Sequence, residues 1–313
     1  MNLLKPPKLS KGDLIGLISP ASSPDDLTRI ERGVKYLEGL GYNVEIGANV
    51  GQNLGYLAGS DEQRVSDIHY MFKKKEIKAI MCIRGGYGTP RLLDKIDYSL
   101  IKKNPKIFIG YSDITALQLA FYKKAGLITF AGPMLAVDFW NDVSKFTEEM
   151  FWALITSNKK FGKVVNPDNE KFYILKPGKA QGEILGGNLC LLASLIGSDY
   201  VPSFQDKIIM LEEIGEAPYR IDRMLNQLKL NGIMDKAKGF ILGRFVDCYE
   251  TDSSKKSLTL NEVIDDYFGK LKKPVMYNFK HGHITDNITV AFGIKHKMNT
   301  DNATIEIMES AVH

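Results

Sequence analysis

The chain has 313 residues, of which 44% are hydrophobic and 25% charged, and this balance is typical of a globular protein with a sizeable core. The net charge of +4 comes from lysines spread along the chain, which argues against a nucleic-acid-binding surface. No apolar run approaches about 18 residues and the N-terminus lacks signal-peptide features, so neither a membrane span nor secretion is expected. Three cysteines without a CxxC pair fit a reducing compartment, and we expect a cytoplasmic protein.

The first half of the chain alternates strand-like and helix-like segments. Residues 13–20 form a continuous apolar run that ends at a proline, as expected for a strand buried on both faces. Further short apolar strands are expected at 42–47, 77–83, 106–110 and 127–132. Because such strands alternating with helices form parallel sheets covered on both faces, we predict a parallel α/β domain over residues 1–155.

Two helices in this half carry recognisable end signals. The first is predicted to begin at Ser23 as N-cap, with Pro24 in the first helical position, and to end at Gly41. The second is predicted to begin after Ser60, where Gln63 completes a capping box, and to run to about residue 75.

The pattern changes in the second half. Residues 156–180 are polar, rich in lysine and interrupted by Pro and Gly, which predicts a linker or crossing segment. Beyond it we expect helices that start at Pro218 and at a capping box of Thr259 and Glu262, between strands at 180–187, 207–213, 239–245, 274–279, 288–293 and 303–308. Residues 181–313 therefore predict a second, smaller and β-rich mixed domain.

Two polar turns follow buried strands of the first domain. "RGGYG" spans residues 84–88 and "GYSD" spans residues 110–113. Ligands of parallel sheets bind beyond the carboxyl ends of the strands. Ser112 would lie on a sharp strand-to-helix corner, where the N–H of Asp113 could stabilise an oxyanion formed by attack of the hydroxyl. The alternative is that Ser112 or Asp113 only caps the following helix.

A nucleophilic serine needs a base and an orienting acid. The segment 280–287, "KHGHITDN", offers His281 and His283 in a turn between two strands. Glu212 and Glu213 follow an apolar strand and could supply the acid. Ordinary surface side chains, or a metal site built on the two histidines, remain alternatives at this point.

The glycine turn could serve a ligand in several ways. It lacks the spacing of a dinucleotide or P-loop motif, so no cofactor is expected. Gly85 and Gly86 would let backbone N–H groups approach a ligand closely. Arg84 could bind an anionic substrate group or form an ordinary surface ion pair.

Five segments in this order resemble the LD-carboxypeptidase family of serine peptidases, which includes the muramoyl-tetrapeptide carboxypeptidases and the microcin C immunity peptidases. They are "IRGGYGTPRLL", "FIGYSDITALQ", "GEILGGNLCLLASLIGS", "IIMLEEIGEAPYRIDRML" and "GH" at 282–283. The resemblance implies a flavodoxin-like parallel-sheet N-terminal domain, a smaller β-rich C-terminal domain and a homodimer. It implies neither a metal nor a cofactor.

The resemblance also implies roles for individual residues. Ser112 matches the nucleophile, Glu212 the acid and His283 the base. The backbone N–H groups of Asp113 and Gly86 match the oxyanion hole. As substrate-binding residues we expect Arg84 for the terminal carboxylate, with Arg223 as a second candidate, together with Gly85 and Asn188.

Two positions depart from the family pattern. Ala131 stands before "GPM" where His or Tyr is common, and the acidic pair is Glu-Glu rather than Glu-Asp, which leaves Glu213 as an alternative acid. The form of the glycine turn favours the peptidoglycan-recycling branch. We therefore expect hydrolysis of the amide between the L-centre of a diamino acid and a terminal D-alanine in murein tetrapeptides. The alternatives are an immunity-type peptidase acting on peptidyl or aminoacyl nucleotides, a non-catalytic muropeptide-binding protein and a metal hydrolase.

Overall fold

The computed structural model describes residues 2–167 and 170–313, which form two β-sheets flanked by helices. The predicted linker contains Asp168 and Asn169, which lie outside the described residues, as does Met1. The strands are β1 Leu14–Ile18, β2 Asn43–Ile46, β3 Ile77–Cys82, β4 Ile107–Gly110, β5 Thr129–Ala131, β6 Gly162–Val164, β7 Tyr173–Lys176, β8 Lys179–Asn188, β9 Ile208–Ile214, β10 Gly239–Val246, β11 Val275–Tyr277, β12 Val290–Phe292, β13 Lys295–Asn299 and β14 Thr304–Ile307. The helices are α1 Thr28–Gly39, α2 Asp61–Lys73, α3 Tyr98–Lys103, α4 Thr115–Ala120, α5 Leu135–Asp138, α6 Lys145–Thr156, α7 Leu189–Leu195, α8 Pro218–Leu230, α9 Ile233–Lys236 and α10 Leu260–Ile264.

The first sheet has the strand order β12-β5-β4-β3-β1-β2. Strands β1 to β5 are mutually parallel, in the order 2-1-3-4-5 that characterises flavodoxin-like folds, and β12 joins the edge antiparallel to β5. In this order a crevice opens at the carboxyl ends of β1 and β3, where the connections leave the sheet in opposite directions. The predicted fold class is confirmed.

The second sheet has the order β6-β14-β13-β8-β9-β10-β11-β7. Strands β8 to β11 are parallel, and the strands on either side of them pair antiparallel. The predicted linker contributes β6 and β7, one at each edge of this sheet. Strand β12, which the sequence predicted as part of the second domain, lies on the first sheet instead. Residues 278–289 therefore cross from one sheet to the other.

The helix signals were partly right. Helix α2 has the predicted capping box, in which Ser60 accepts from the Gln63 N–H and Gln63 accepts from the Ser60 N–H. The predicted start of α1 at Ser23 is wrong, because the helix begins at Thr28. The Ser23 hydroxyl donates instead to the carbonyl of Gln52, so the residues before Thr28 form a loop.

Apolar side chains from both sheets belong to one hydrophobic cluster in the part of the chain that the structure describes. Ile80 and Phe108 of the first sheet and Ile209 and Phe240 of the second are completely buried. Across residues 2–167 and 170–313, no helix combines the length and apolar character that crossing a membrane requires.

Candidate active site

Ser112 lies on a strained corner directly after β4. It begins a short 3₁₀ turn, Ser112–Ile114, which α4 continues, and its φ angle of 63° lies in the left-handed region that non-glycine residues rarely adopt. The corner depends on Gly110, because a Cβ there would lie only 2.9 Å from the Ile114 side chain. The sequence therefore holds a half-buried hydroxyl on a tight turn, as predicted.

Glu212 and His283 form a hydrogen-bonded pair. Glu212 Oε2 lies 3.0 Å from His283 Nδ1. The Glu212 side chain is fully buried and the His283 side chain is 18% exposed. Glu212 belongs to β9, whereas His283 lies on the segment that crosses between the sheets. Because the carboxylate accepts a hydrogen bond from Nδ1, the other ring nitrogen is left as the basic one.

Glu213 points the other way along β9, as alternation in a strand requires. Its carboxylate accepts from the Asn188 side chain at 2.8 Å and from the backbone N–H of Cys190 at 2.8 Å. Burial raises the pKa of Glu213 to about 7, and the like charge of Glu212 adds to this. Of the two glutamates, it is Glu212 that contacts His283, and Glu213 fixes the start of α7.

The environment of His283 favours its protonated form. Burial lowers the pKa of His283, but the hydrogen bond and charge of Glu212, helped by Glu213 and Asp138, outweigh burial and leave the pKa above its ordinary value. His281 differs, because burial lowers its pKa and its Nδ1 bonds the carbonyl of Ile288 at 2.7 Å. His283 is thus the histidine that an acid orients.

Tyr111 connects the serine corner with the histidine. Its buried ring lies edge-on to His283, with ring centroids 5.1 Å apart, and 6.4 Å from the ring of His281. Tyr111 immediately precedes Ser112, so the residue next to the nucleophile candidate packs against the base candidate. Among the described residues, no hydrogen bond joins Ser112 Oγ to the His283 ring.

The glycine turn faces the serine corner. A Cβ on Gly85 would lie 3.1 Å from Ser112 Oγ and 3.4 Å from the backbone nitrogen of Asp113. The Asp113 N–H belongs to the first turn of a helix, where N–H groups have no intrahelical acceptor. On Gly86, whose φ angle is 111°, a Cβ would instead meet the side chain of Ser22. The absence of a side chain at Gly85 leaves open the space beside the hydroxyl and this N–H.

The predicted substrate-binding side chains have different surroundings. Arg84 is half-buried beside this turn and donates to the carbonyl of Ser23 at 3.3 Å, and it has no ion-pair partner within the described residues. Arg223 is exposed on α8, with its guanidinium over the ring of Tyr219. Of these two candidates, Arg84 is the one that belongs to the glycine turn facing the serine corner.

The side chain and the backbone N–H of Asn188 both form hydrogen bonds within the protein. Its side chain is buried, accepts from the Leu191 N–H as the cap of α7, and donates to Glu213. Its backbone N–H donates to Thr115 in the helix after Ser112. These contacts favour a positioning role and give no support to the substrate contact predicted from the sequence.

A cavity of about 420 Å³ opens beside His283. Burial raises the pKa of Asp138, on its wall, to about 6. The sequence patterns did not single out Asp138 or Tyr111, although Tyr111 lies within "GYSD" and Asp138 closely follows "GPM". Aromatic, acidic and hydroxyl side chains dominate the lining: Tyr111, Val137, Asp138, Trp140, Asn141, Asp142, Val143, Ser144, Thr147, His283, Ile284 and Thr285.

A metal hydrolase would need a cluster of ligating side chains. Among the residues that the structure describes, no group of three or more His, Cys, Asp or Glu side chains is placed to hold a metal ion.

Ala131, which departs from the family pattern, is buried in β5 and pairs with Val290.

Several curated proteins resemble the chain over nearly its whole length. A probable murein peptide carboxypeptidase of Bacillus subtilis (strain 168) is 42% identical over 97% of this chain and 94% of its own length. The murein tetrapeptide carboxypeptidase of Pseudomonas aeruginosa is 30% identical over 89% and 91% of the two chains. The microcin C7 self-immunity protein MccF of Escherichia coli is 32% identical over 96% and 94%.

Solved structures and family models agree with these relatives. The muramoyltetrapeptide carboxypeptidase from Oxalobacter formigenes has a TM-score of 0.82 at 30% identity, covering 94% of this chain and 97% of its own. Wild-type apo MccF has a TM-score of 0.90 at 29% identity, covering 99% and 100%. The LD-carboxypeptidase N-terminal domain matches residues 15–132 and the LD-carboxypeptidase C-terminal domain matches residues 181–298. The chain therefore belongs to the LD-carboxypeptidase family of serine peptidases.

Proposed function

We propose that this protein is an LD-carboxypeptidase that cleaves murein tetrapeptides. The bond hydrolysed is the amide between the L-centre of a diamino acid and the terminal D-alanine. The observation that carries the proposal is the buried Glu212–His283 pair, whose imidazole packs edge-on to the ring of Tyr111, the residue directly before the strained corner at Ser112. Relatives named as murein peptide and murein tetrapeptide carboxypeptidases support the substrate class.

The first half of the reaction forms an acyl-enzyme. Ser112 Oγ attacks the scissile carbonyl carbon while His283 accepts the hydroxyl proton. Glu212 holds the imidazole in the tautomer that has a free Nε2, and its negative charge stabilises the imidazolium that forms. The backbone N–H groups of Asp113 and Gly86 bind the oxyanion. His283 then gives the proton to the nitrogen of D-alanine, which leaves as the C–N bond breaks.

The second half restores the enzyme. His283 removes a proton from a water molecule, whose oxygen attacks the acyl carbon, and the same proton returns to Ser112 Oγ as the ester bond breaks. The products are the shortened peptide and D-alanine, so no metal or cofactor is required for balance.

Arg84 and Gly85 serve substrate binding in this proposal. A carboxypeptidase must recognise a free terminal carboxylate, and guanidinium groups bind carboxylates with two parallel hydrogen bonds. Arg84 lies beside the glycine turn without a carboxylate partner among the described residues, and Gly85 keeps the approach to Ser112 Oγ open.

Substrate binding completes the catalytic contacts. In unliganded enzymes, hydrogen bonds of the catalytic groups are commonly long and tighten only in the substrate complex. We infer that the bond between Ser112 Oγ and His283 forms when the peptide binds between the glycine turn and the crossing segment.

An immunity-type peptidase is the second candidate, supported by the similarity to MccF. A competition experiment separates the two: the enzyme receives a murein tetrapeptide and an aminoacyl-sulfamoyl adenylate together, and D-alanine release and adenylate cleavage are followed. Preferential D-alanine release supports the proposal, whereas preferential adenylate cleavage contradicts it. Binding of muropeptide without cleavage of either substrate would identify a binding protein instead.

The location and the oligomeric state of the enzyme can also be inferred from the family. We propose a cytoplasmic homodimer that acts in peptidoglycan recycling, as the family resemblance implies. The mass of the purified protein measured by light scattering tests the dimer, and fractionation of cells that produce it tests the location.

A further inference from the structure

A buried arginine lies behind the glycine turn. Arg64 belongs to α2, and its side chain is completely buried. Its Nη1 donates to the carbonyl of Pro20 at 2.7 Å and to the carbonyl of Gly88 at 3.0 Å, and its Nη2 bonds Asp61 at 2.6 Å. The guanidinium therefore joins the loop after β1 to the last residue of "RGGYG".

The loop after β1 itself supports the glycine turn. The N–H of Ser22, two residues beyond Pro20, donates to the carbonyl of Gly85 at 3.2 Å. The Ser22 hydroxyl accepts from the N–H of Tyr87, also at 3.2 Å. Arg64 is thus bonded both to the turn and to the loop that holds the turn.

A second connection runs from the turn to the serine corner. The N–H of Thr89 donates to the carboxylate of Asp113 at 2.8 Å, and the Thr89 hydroxyl donates to the carbonyl of the same residue. Gly88, to which Arg64 donates, is the residue before Thr89. The guanidinium therefore holds Gly88, and the next residue, Thr89, is hydrogen-bonded to Asp113. The N–H of Asp113 is the group that we propose binds the oxyanion.

The close approach of the guanidinium requires the glycine that it contacts. A Cβ on Gly88, whose φ angle is 124°, would lie 2.7 Å from Arg64 Nη1. Burial of a charged group is costly, and apolar side chains commonly fill such space at lower cost. The ion pair with Asp61 and the hydrogen bonds to two carbonyls, rather than packing alone, account for a charged side chain at this place.

We propose that Arg64 is a positioning residue for the oxyanion-binding turn. It holds Gly85 and Gly86 at a fixed distance from Ser112 and Asp113 without touching substrate. The inference rests on the proposed serine-peptidase mechanism, because it assigns a role to a residue that acts through that oxyanion site.

The test compares R64M and R64K with the control R91M. Arg91 is bonded to the same Asp61, through Nε at 3.0 Å, but its half-exposed side chain contacts neither Pro20 nor the glycine turn through a hydrogen bond. The measurements are kcat and KM for D-alanine release from the tetrapeptide, the rate at which a fluorophosphonate labels Ser112, and the melting temperature. The labelling rate reports the oxyanion site without depending on the identity of the natural substrate.

We expect R64M to lower kcat and the labelling rate together by about 10- to 100-fold, with little change in KM. R64K should recover part of both rates, because an ammonium can donate to both carbonyls. R91M should stay within about twofold of the wild type in both rates. A merely structural role would lower the melting temperature of R64M but leave the rates of the folded fraction unchanged.

The inference is overturned if folded R64M matches R91M in both rates, or, should R64M not fold, if folded R64K does so. Failure of the proposed function gives a different pattern. Wild-type protein that labels at Ser112 but releases no D-alanine would refute the proposed substrate, while the labelling rates would still decide the role of Arg64. Wild-type protein that does not label at Ser112 would refute the mechanism and this inference with it.

Discussion

Glu212 Oε2 lies 3.0 Å from His283 Nδ1, although 71 positions separate the two residues in the chain. The pairing depends on the crossing segment, which leaves β11 in the second sheet and enters β12 in the first. A completely buried carboxylate on β9 thus meets an imidazole that the chain carries toward the serine corner.

The activity should rise with pH as His283 loses its proton, since only the neutral imidazole can act as base. The pKa of His283 lies above its ordinary value of 6.5, so the midpoint of the acid limb of kcat/KM should lie above 6.5. E212Q removes the charge that raises this pKa while burial still lowers it. The acid limb of the E212Q profile should therefore move to lower pH, and the plateau value of kcat/KM should fall. An E212Q profile with an unmoved midpoint would contradict the assignment.

G85A should obstruct the site beside Ser112. The added Cβ would lie 2.9 Å from Ser112 Cβ, 3.1 Å from its Oγ and 3.4 Å from the Asp113 nitrogen, whose N–H we propose binds the oxyanion. Loss of oxyanion stabilisation predicts a fall in kcat of about 100-fold. The matched control is G39A, where an added Cβ meets nothing within 4 Å and should leave kcat unchanged. Equal kcat values for the two variants would argue against this location for the oxyanion.

N188A should lower stability rather than substrate affinity. The change removes the cap of α7 and the hydrogen bond to Glu213, a loss of about 1–3 kcal/mol in the free energy of unfolding. KM should stay within about twofold of the wild type. Denaturant unfolding and steady-state kinetics measure both quantities, with N231A on the exposed end of α8 as a control. A large rise in KM at unchanged stability would restore the substrate contact predicted from the sequence.

Glu213 should make the folded state less stable as the pH rises. Its pKa is raised from 4.5 to about 7, which means that the folded state favours the protonated carboxyl. The stabilisation of the folded state that results is complete below pH 4.5 and is lost as the pH rises through 7. A shift of this size corresponds to roughly 3 kcal/mol. Because E213Q cannot titrate, its free energy of unfolding relative to the wild type should increase between pH 5 and pH 8. A constant difference across that range would contradict the buried, titrating carboxylate.

Local patterns predicted much of the framework. The capping boxes at Ser60 and Thr259 and the helix start at Pro218 are where the sequence indicated, because these signals act within one helical turn. The predicted start at Ser23 failed because the same residue types also stabilise loops. His296 stands between two lysines in the sequence and is nevertheless buried, because buried and exposed residues alternate along β13.

Local sequence patterns do not predict which segments that are distant in the chain lie together in the fold. Strand β12 has the same apolar character as its neighbours in the chain, and nothing in that character tells which sheet it joins. The strand period places Glu212 and Glu213 on opposite faces but does not identify the face that meets His283. Arg64 lies among polar residues of a helix, a setting that usually indicates a solvent-exposed side chain. The catalytic roles themselves stay predictions.

Whether Ser112 is the nucleophile is decided by measuring D-alanine release from a murein tetrapeptide by the wild-type protein and by S112A. We expect release by the wild type and none above background by S112A, with nearly equal melting temperatures for the two proteins. Release by folded S112A at the wild-type rate would contradict the assignment of Ser112 as the nucleophile.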